Sequence, residues 1–118
     1  MNEKKNLTTK ETFALAVQNH QKNNFKVAEN LYKKILKTNP NHASSHNNLG
    51  LIFHAYKDLQ KARDCYEKAI AIEPNYVNAY NNLGLVLKEL GERKKAIYNY
   101  EKAIEINPNF VQTHNILG

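Results

Sequence analysis

The chain of 118 residues contains no tryptophan, a single cysteine, three prolines and four glycines. One cysteine, Cys65, excludes an intramolecular disulfide and is typical of a reducing compartment. The small amount of glycine and proline leaves little material for long loops, which favours helices joined by short turns. No long apolar run follows the polar start, so the sequence predicts neither a secretory signal nor a membrane span, and we expect a cytoplasmic protein.

A pattern of small and large residues recurs every 34 residues along the chain. Its clearest copy reads Tyr80-x2-Leu83-Gly84-x2-Leu87, Ala96-x3-Tyr100-x2-Ala103 and Pro108. The copy before it reads His46-x2-Leu49-Gly50-x2-Phe53, Ala62-x3-Tyr66-x2-Ala69 and Pro74. The first copy reads Thr12-x2-Leu15-Ala16-x2-Asn19, Ala28-x3-Tyr32-x2-Ile35 and Pro40. Because one helical hairpin cannot bury its apolar face alone, this fixed period predicts stacked copies of a two-helix unit.

Capping and turn residues indicate where the helices begin and end. Thr8-x2-Glu11 has the spacing of a capping box, and Asn24 and Asp58 are suited to cap the helices that follow them. Gly91 can end a helix in the left-handed conformation, and each proline disfavours helix at the residue before it. We therefore expect a flexible tail at residues 1–8 and helices at about 9–22, 25–37, 43–56, 59–72, 77–90 and 93–106.

These motifs resemble the tetratricopeptide repeat (TPR). The resemblance covers three repeats at 9–42, 43–76 and 77–110, with the start of a fourth at 111–118. It implies an all-α protein in which antiparallel helix pairs stack into a right-handed superhelix, an α-solenoid. In that family the first helices of the repeats line a concave groove that binds peptides or other proteins. The period also argues against a pentatricopeptide RNA reader, whose usual repeat is one residue longer.

Helical geometry identifies which side chains lie opposite the core positions of the first helices and would line this groove. In the second to fourth repeats the candidates are Asn47, Asn48, Leu51, His54, Asn78, Asn81, Asn82, Leu85, Lys88 and Asn115. The first repeat would add Phe13, Val17 and His20. We expect an apolar line flanked by rows of amides, each able to donate to and accept from a peptide backbone. The rows resemble the asparagine ladder of O-linked N-acetylglucosamine transferases; alternatively, the asparagines bond neighbouring first helices to one another.

The carboxylate-clamp co-chaperones are a different branch of the family, and this sequence departs from them. Phe13, Val17, Asn78 and Asn82 stand where the clamp requires Lys, Asn, Lys and Arg, so that only Asn48 matches. We therefore do not expect the chain to bind the acidic tails of chaperones.

The net charge of +6 raises the question of nucleic-acid binding, which depends on where the basic residues lie. Of the 17 Lys and Arg residues, only Lys10 and Lys88 fall on predicted groove positions in the first three repeats. Many of the others decorate the second helices, where a solvated face is the usual explanation. The distribution argues against nucleic acid as the partner.

No pattern of catalytic or metal-ligating residues stands out. His42-x3-His46 lies one helical turn apart, but His46 occupies the core position of Tyr80 and is expected to be buried. His20 and His54 are equivalent positions without an evident carboxylate or cysteine partner. Cys65 lacks a histidine base, and no phosphate-binding loop or carboxylate pair is present. We predict no enzyme, cofactor or metal site, and no membrane association.

The final residues match the opening of a fourth repeat, Val111-x2-His114-x2-Leu117-Gly118. Such a stub is shorter than the roughly 12 to 15 residues that an isolated helix needs, and it would lack its second helix. We therefore expect a fragment of a longer protein that binds protein segments and also self-associates through this uncapped end. The alternatives are a purely structural module that oligomerises through its ends, or repeats that recruit substrates for a larger transferase.

Overall fold

The computed structural model describes residues 6–109. They form six α-helices and no strand: α1 (Thr9–Gln21), α2 (Phe25–Thr38), α3 (Ala43–Ala55), α4 (Leu59–Ile72), α5 (Val77–Glu89) and α6 (Arg93–Ile106). Every predicted helix is present, with each end within one residue of its expected position. The predicted fourth repeat, including Asn115, and the first five residues of the tail lie outside the described residues.

The helix starts follow the capping residues to different degrees. The Thr8 side chain accepts from the Glu11 amide, and the Thr8 amide donates to the Glu11 carboxylate, each at 3.0 Å, which completes the predicted capping box. Asp58 accepts from the Lys61 amide at 3.3 Å. Asn24 precedes α2 as expected, but its side chain makes no capping bond. The caps therefore fix the starts of α1 and α4, whereas the start of α2 depends on packing.

The turn inside each repeat uses the same backbone conformation. Asn23, Lys57 and Gly91 are one period apart and adopt positive φ angles of 64°, 67° and 83°. Only glycine adopts this left-handed conformation freely, and asparagine tolerates it better than other residues do. Lys57 therefore carries backbone strain, which is absent at Gly91 and smaller at Asn23.

The core lies between the helices of each pair and between successive pairs. Each hairpin packs its two helices together, α2 and α4 contact the first helix of the next repeat, and α3 also contacts α5. Tyr32, Tyr66 and Tyr100 fill the centre of the three repeats and are at most 3% exposed. Their rings explain the glycines, because a Cβ atom on Gly84 would lie 2.4 Å from the Tyr100 ring. The chain is thus an all-α stack of helical hairpins.

Candidate functional site

The three first helices, α1, α3 and α5, carry the predicted groove residues, and we call their shared surface the first-helix face. The candidates within residues 6–109 differ in burial. Asn47 and Asn81 are buried, at 4% and 2% exposure. The exposed candidates are Asn78 and Lys88. The half-buried candidates are Asn48, Leu51, His54, Asn82 and Leu85. The surface available to a ligand is therefore narrower than the predicted set.

A chain of amide hydrogen bonds links the first helices. The Asn82 amide nitrogen donates to the Asn47 oxygen at 3.1 Å, and the Asn47 nitrogen donates to the Asn48 oxygen at 3.3 Å. The Asn48 nitrogen in turn donates to the Tyr32 hydroxyl at 3.3 Å. The asparagines thus bond to one another, as the structural alternative expected. Asn48 and Asn82 use only part of the capacity of a carboxamide, which has two donor hydrogens and an oxygen with two lone pairs.

His20 continues this chain at the α1 end. Its Nδ1 lies 3.1 Å from the Tyr32 hydroxyl, which also accepts from Asn48. Burial lowers the pKa of His20, which favours the neutral imidazole.

His54, which is equivalent to His20, has a different partner. Its Nε2 lies 2.8 Å from a carboxylate oxygen of Glu89, so a bond joins α3 to α5. The expectation that His54 lacks a carboxylate partner is therefore wrong. An open cleft of about 290 Å³ lies beside it and is lined in part by Leu51 and Lys57. A ligand on this part of the face would meet a polar bridge next to an apolar side chain.

His42 has a role that the sequence reasoning missed. It caps α3, because its Nδ1 accepts from the Ser45 amide at 3.2 Å and from the Ser45 hydroxyl at 2.8 Å. The ring also lies 5.1 Å from the Phe13 ring, between centroids. Burial, with a smaller contribution from His46, lowers the pKa of His42. The signal in the sequence was the position of His42 immediately before the helix, where side-chain acceptors are common.

The surroundings of His46 and Cys65 do not suit a catalytic or metal-binding role. His46, which was expected to be buried, is half-buried and donates through Nε2 to the Pro40 carbonyl at 2.9 Å. Burial raises the pKa of Cys65 to about 11, which keeps its thiol protonated and unreactive near neutral pH. Across residues 6–109 no three His, Cys, Asp or Glu side chains are grouped to hold a metal ion.

None of the six helices in the described part of the chain is long and apolar enough to cross a bilayer.

Three sequence profiles of one family match overlapping parts of the chain. They are a tetratricopeptide repeat at residues 77–110, a TPR repeat at 51–91 and a second tetratricopeptide repeat at 31–64. Together they extend from 31 to 110 and include the whole of helices α3 to α6. No curated protein sequence matches the chain.

Solved structures of other proteins share the fold. MamA is 25% identical, with a TM-score of 0.80 over 89% of this chain, which spans 61% of the MamA chain. The first TPR of Spaghetti (RPAP3), bound to an HSP90 peptide, SRMEEVD, is 20% identical, with a TM-score of 0.88 over 92% of this chain and 86% of its own. A mutant of Thermobaculum terrenum O-GlcNAc transferase is 22% identical, with a TM-score of 0.86 over 90% of this chain but only 20% of the transferase.

The repeated helical hairpins, their glycine and tyrosine contacts, and the matching profiles lead to one conclusion. The chain belongs to the tetratricopeptide repeat family, whose repeats form protein-interaction modules.

Proposed function

We propose that the chain binds an extended segment of a partner protein along the first-helix face. The observation that carries this proposal is the pair of half-buried amides, Asn48 and Asn82, beside the half-buried Leu51 and Leu85. Donors and acceptors on a protein surface can pair with the backbone of a ligand, while the leucines contact its apolar side chains. The proposed site is non-catalytic, and the protein that carries it is proposed to be cytoplasmic.

The bonds already present limit the affinity. Asn48 and Asn82 must keep or exchange their bonds to Tyr32 and Asn47 when a ligand arrives. A net hydrogen bond contributes about 0.5 to 1.5 kcal/mol, so a few of them together with two partly covered leucines give modest binding. The affinity is therefore expected to increase with the length of the bound segment.

The Spaghetti structure supports the choice of a peptide ligand, since that TPR domain is bound to a peptide. The acidic end of that peptide is not proposed as the ligand class here. Val17 and Asn82 occupy positions at which a carboxylate clamp has an amide and a guanidinium. The proposed ligand is instead an internal extended segment recognised mainly through its backbone.

The test is a peptide array of extended internal protein segments, followed by fluorescence anisotropy on the peptides that bind. The double variant Asn48→Ala with Asn82→Ala should bind those peptides about 5-fold to 150-fold more weakly, since two hydrogen bonds contribute roughly 1 to 3 kcal/mol. Asn30→Ala is the matched control, because Asn30 is exposed on α2. Equal binding by the double variant and the control would refute the proposal.

Thermal unfolding separates binding from stability. A double variant that loses binding while keeping its melting temperature supports a ligand-binding role for these amides. A large fall in melting temperature would instead assign Asn48 and Asn82 to holding α3 and α5 together. Self-association is proposed separately, through residues 111–118 at the start of the fourth repeat. Sedimentation tests it, because association should be lost when Ile116 and Leu117 are replaced by charged residues.

A further inference from the structure

The second helices, α2, α4 and α6, form another surface, which we call the second-helix face. Two open clefts lie on it, one between α4 and α6 of about 410 Å³ and one between α2 and α4 of about 340 Å³. Leu83 and Leu87 line the first cleft, and Leu49 and Phe53, one period earlier, line the second. The clefts are therefore repeats of one feature, with the same apolar floor.

The walls of both clefts carry an excess of positive charge. Lys94 and Lys95 line the α4/α6 cleft, and Lys61 and Lys68 line the α2/α4 cleft. Lys95 lies 3.0 Å from Glu92, which also contacts Arg63 at 2.8 Å. Lys68 and Lys94 make no ion pair within residues 6–109, so their ammonium groups are available to acidic groups of a ligand.

The α4/α6 cleft also offers two specific contacts. Tyr98 on its wall is 59% exposed, more than any other large hydrophobic side chain of residues 6–109. Asn99 beside it is only 8% exposed. Its amide nitrogen donates to the Lys95 carbonyl at 2.8 Å, while its oxygen accepts no bond from the described part of the chain. An aromatic side chain with an N–H donor would match both contacts, by packing against Tyr98 and donating to Asn99.

We propose that the second-helix face binds an acidic helix of a partner protein, which inserts one large apolar side chain into each cleft. Charge complementarity selects an acidic partner, because the residues that line each cleft carry more Lys and Arg than Asp and Glu. The two clefts are equivalent positions of neighbouring repeats, so a partner helix that reaches both must present its two apolar side chains on one face. Seven residues of a helix rise about 10.5 Å and complete nearly two turns, which places positions i and i+7 on one face.

The site is independent of the one proposed on the first-helix face. It uses residues of α4, α5 and α6 and of the equivalent earlier helices, and none of the asparagines of the amide chain. A partner could therefore occupy one face without competing for the other.

The probe is a synthetic, fluorescein-labelled acidic peptide with helix-forming residues and tryptophans seven positions apart. Its binding to the whole chain is measured by fluorescence anisotropy. Tyr98→Ala should weaken binding by about tenfold, the loss typical of an exposed aromatic anchor. Lys68→Glu with Lys94→Glu should weaken it at least as much, because two attractions become repulsions. Circular dichroism checks that each variant keeps the helix content of the parent chain.

The controls address charge and spacing separately. Lys10→Glu with Lys22→Glu makes the same change in net charge away from the clefts, and Asn48→Ala with Asn82→Ala changes the first-helix face. Both should bind the probe within about twofold of the parent chain, a difference of roughly 0.4 kcal/mol. A peptide with its tryptophans five positions apart should bind more weakly, because they then point in different directions.

Several results would overturn the proposal. They are an absence of binding at millimolar peptide, equal binding by Tyr98→Ala, equal losses for the two lysine pairs, and equal affinity for the two tryptophan spacings. A loss of affinity confined to Asn48→Ala with Asn82→Ala would mean that the probe binds the first-helix face. That result would leave the earlier proposal standing while removing this one.

Discussion

Gly84→Ala is the substitution whose effect the geometry defines best. A Cβ atom there would lie 2.4, 2.6 and 2.9 Å from three atoms of the Tyr100 ring. Carbon atoms in contact prefer about 3.5 to 4.0 Å, so the methyl group intrudes by about 1 Å. Tyr100 is 3% exposed, and the affected atoms belong to its rigid ring rather than to a flexible chain end. The ring or the helix must therefore move.

Two opposing effects set the magnitude for Gly84→Ala. Overpacking a tight core costs about 1 to 3 kcal/mol, whereas alanine is favoured over glycine inside a helix by about 0.8 to 1.0 kcal/mol. A contact this short belongs at the upper end of the first range, which leaves a net loss of about 1 to 2 kcal/mol. For a chain of this size the melting temperature should fall by roughly 5 to 10 °C.

Four chains are compared: the parent, Gly84→Ala, Tyr100→Leu and the double variant. Their unfolding by urea and by heat is monitored by circular dichroism. Removing the ring removes the clash, so Gly84→Ala should become neutral or stabilising in the Tyr100→Leu background. The same loss in both backgrounds would refute the steric explanation. So would a gain in stability from Gly84→Ala alone.

Further predictions concern the histidines and the turns. The pKa values of His20 and His42 are lowered in the fold, so the folded state binds protons less readily than the unfolded chain. Their stabilising contribution is complete above the unfolded pKa of 6.5 and is lost as the pH falls through their folded values. The melting temperature should therefore be lower at pH 5.5 than at pH 7.5. The variant His42→Asn retains a capping oxygen but cannot be protonated in this range, so it should reduce the difference between the two melting temperatures. An unchanged difference would contradict the contribution of His42 to the pH dependence. Lys57→Gly should stabilise the chain by about 0.5 to 1 kcal/mol in urea unfolding by relieving the left-handed strain, and any loss of stability would contradict it.

The helix positions followed from the sequence because local signals and the period agree. Helix boundaries are marked by the capping box at Thr8, the cap at Asp58 and the turn at Gly91. The period then predicts the same boundaries in the other repeats. The start of α2 shows the limit of such signals. Asn24 has the residue type of a cap but bonds to the Asn19 side chain at 3.2 Å instead.

The candidate site was less predictable because a first helix in a stack is covered on two sides. A helical wheel with one buried face places Asn47 and Asn81 on the open side. In the fold α5 contacts α3, and Asn47 accepts a bond from Asn82 of α5. Asn81, at the equivalent position of α5, is also buried. The sequence alone identifies the face but not how much of it stays open.

The side chains that meet between first helices are not at equivalent positions of the two repeats, as the expected rows of asparagines assumed. Asn47 pairs with Asn82 and His54 pairs with Glu89, and both pairs are 35 residues apart (82 − 47 and 89 − 54). Comparing the chain at its period of 34 aligns equivalent positions, whereas the side chains meet one residue further on. The carboxylate partner of His54 was therefore missed.

This displacement joins the hydrogen bonds of one repeat to those of the next. Under the proposed binding mode, a segment that rotates the Asn82 amide would remove the donor from Asn47, whose own bond leads through Asn48 to the Tyr32 hydroxyl. The polar surface of one hairpin would then depend partly on the occupancy of its neighbour. A further hairpin with the same asparagines would extend both the proposed binding surface and this chain of bonds.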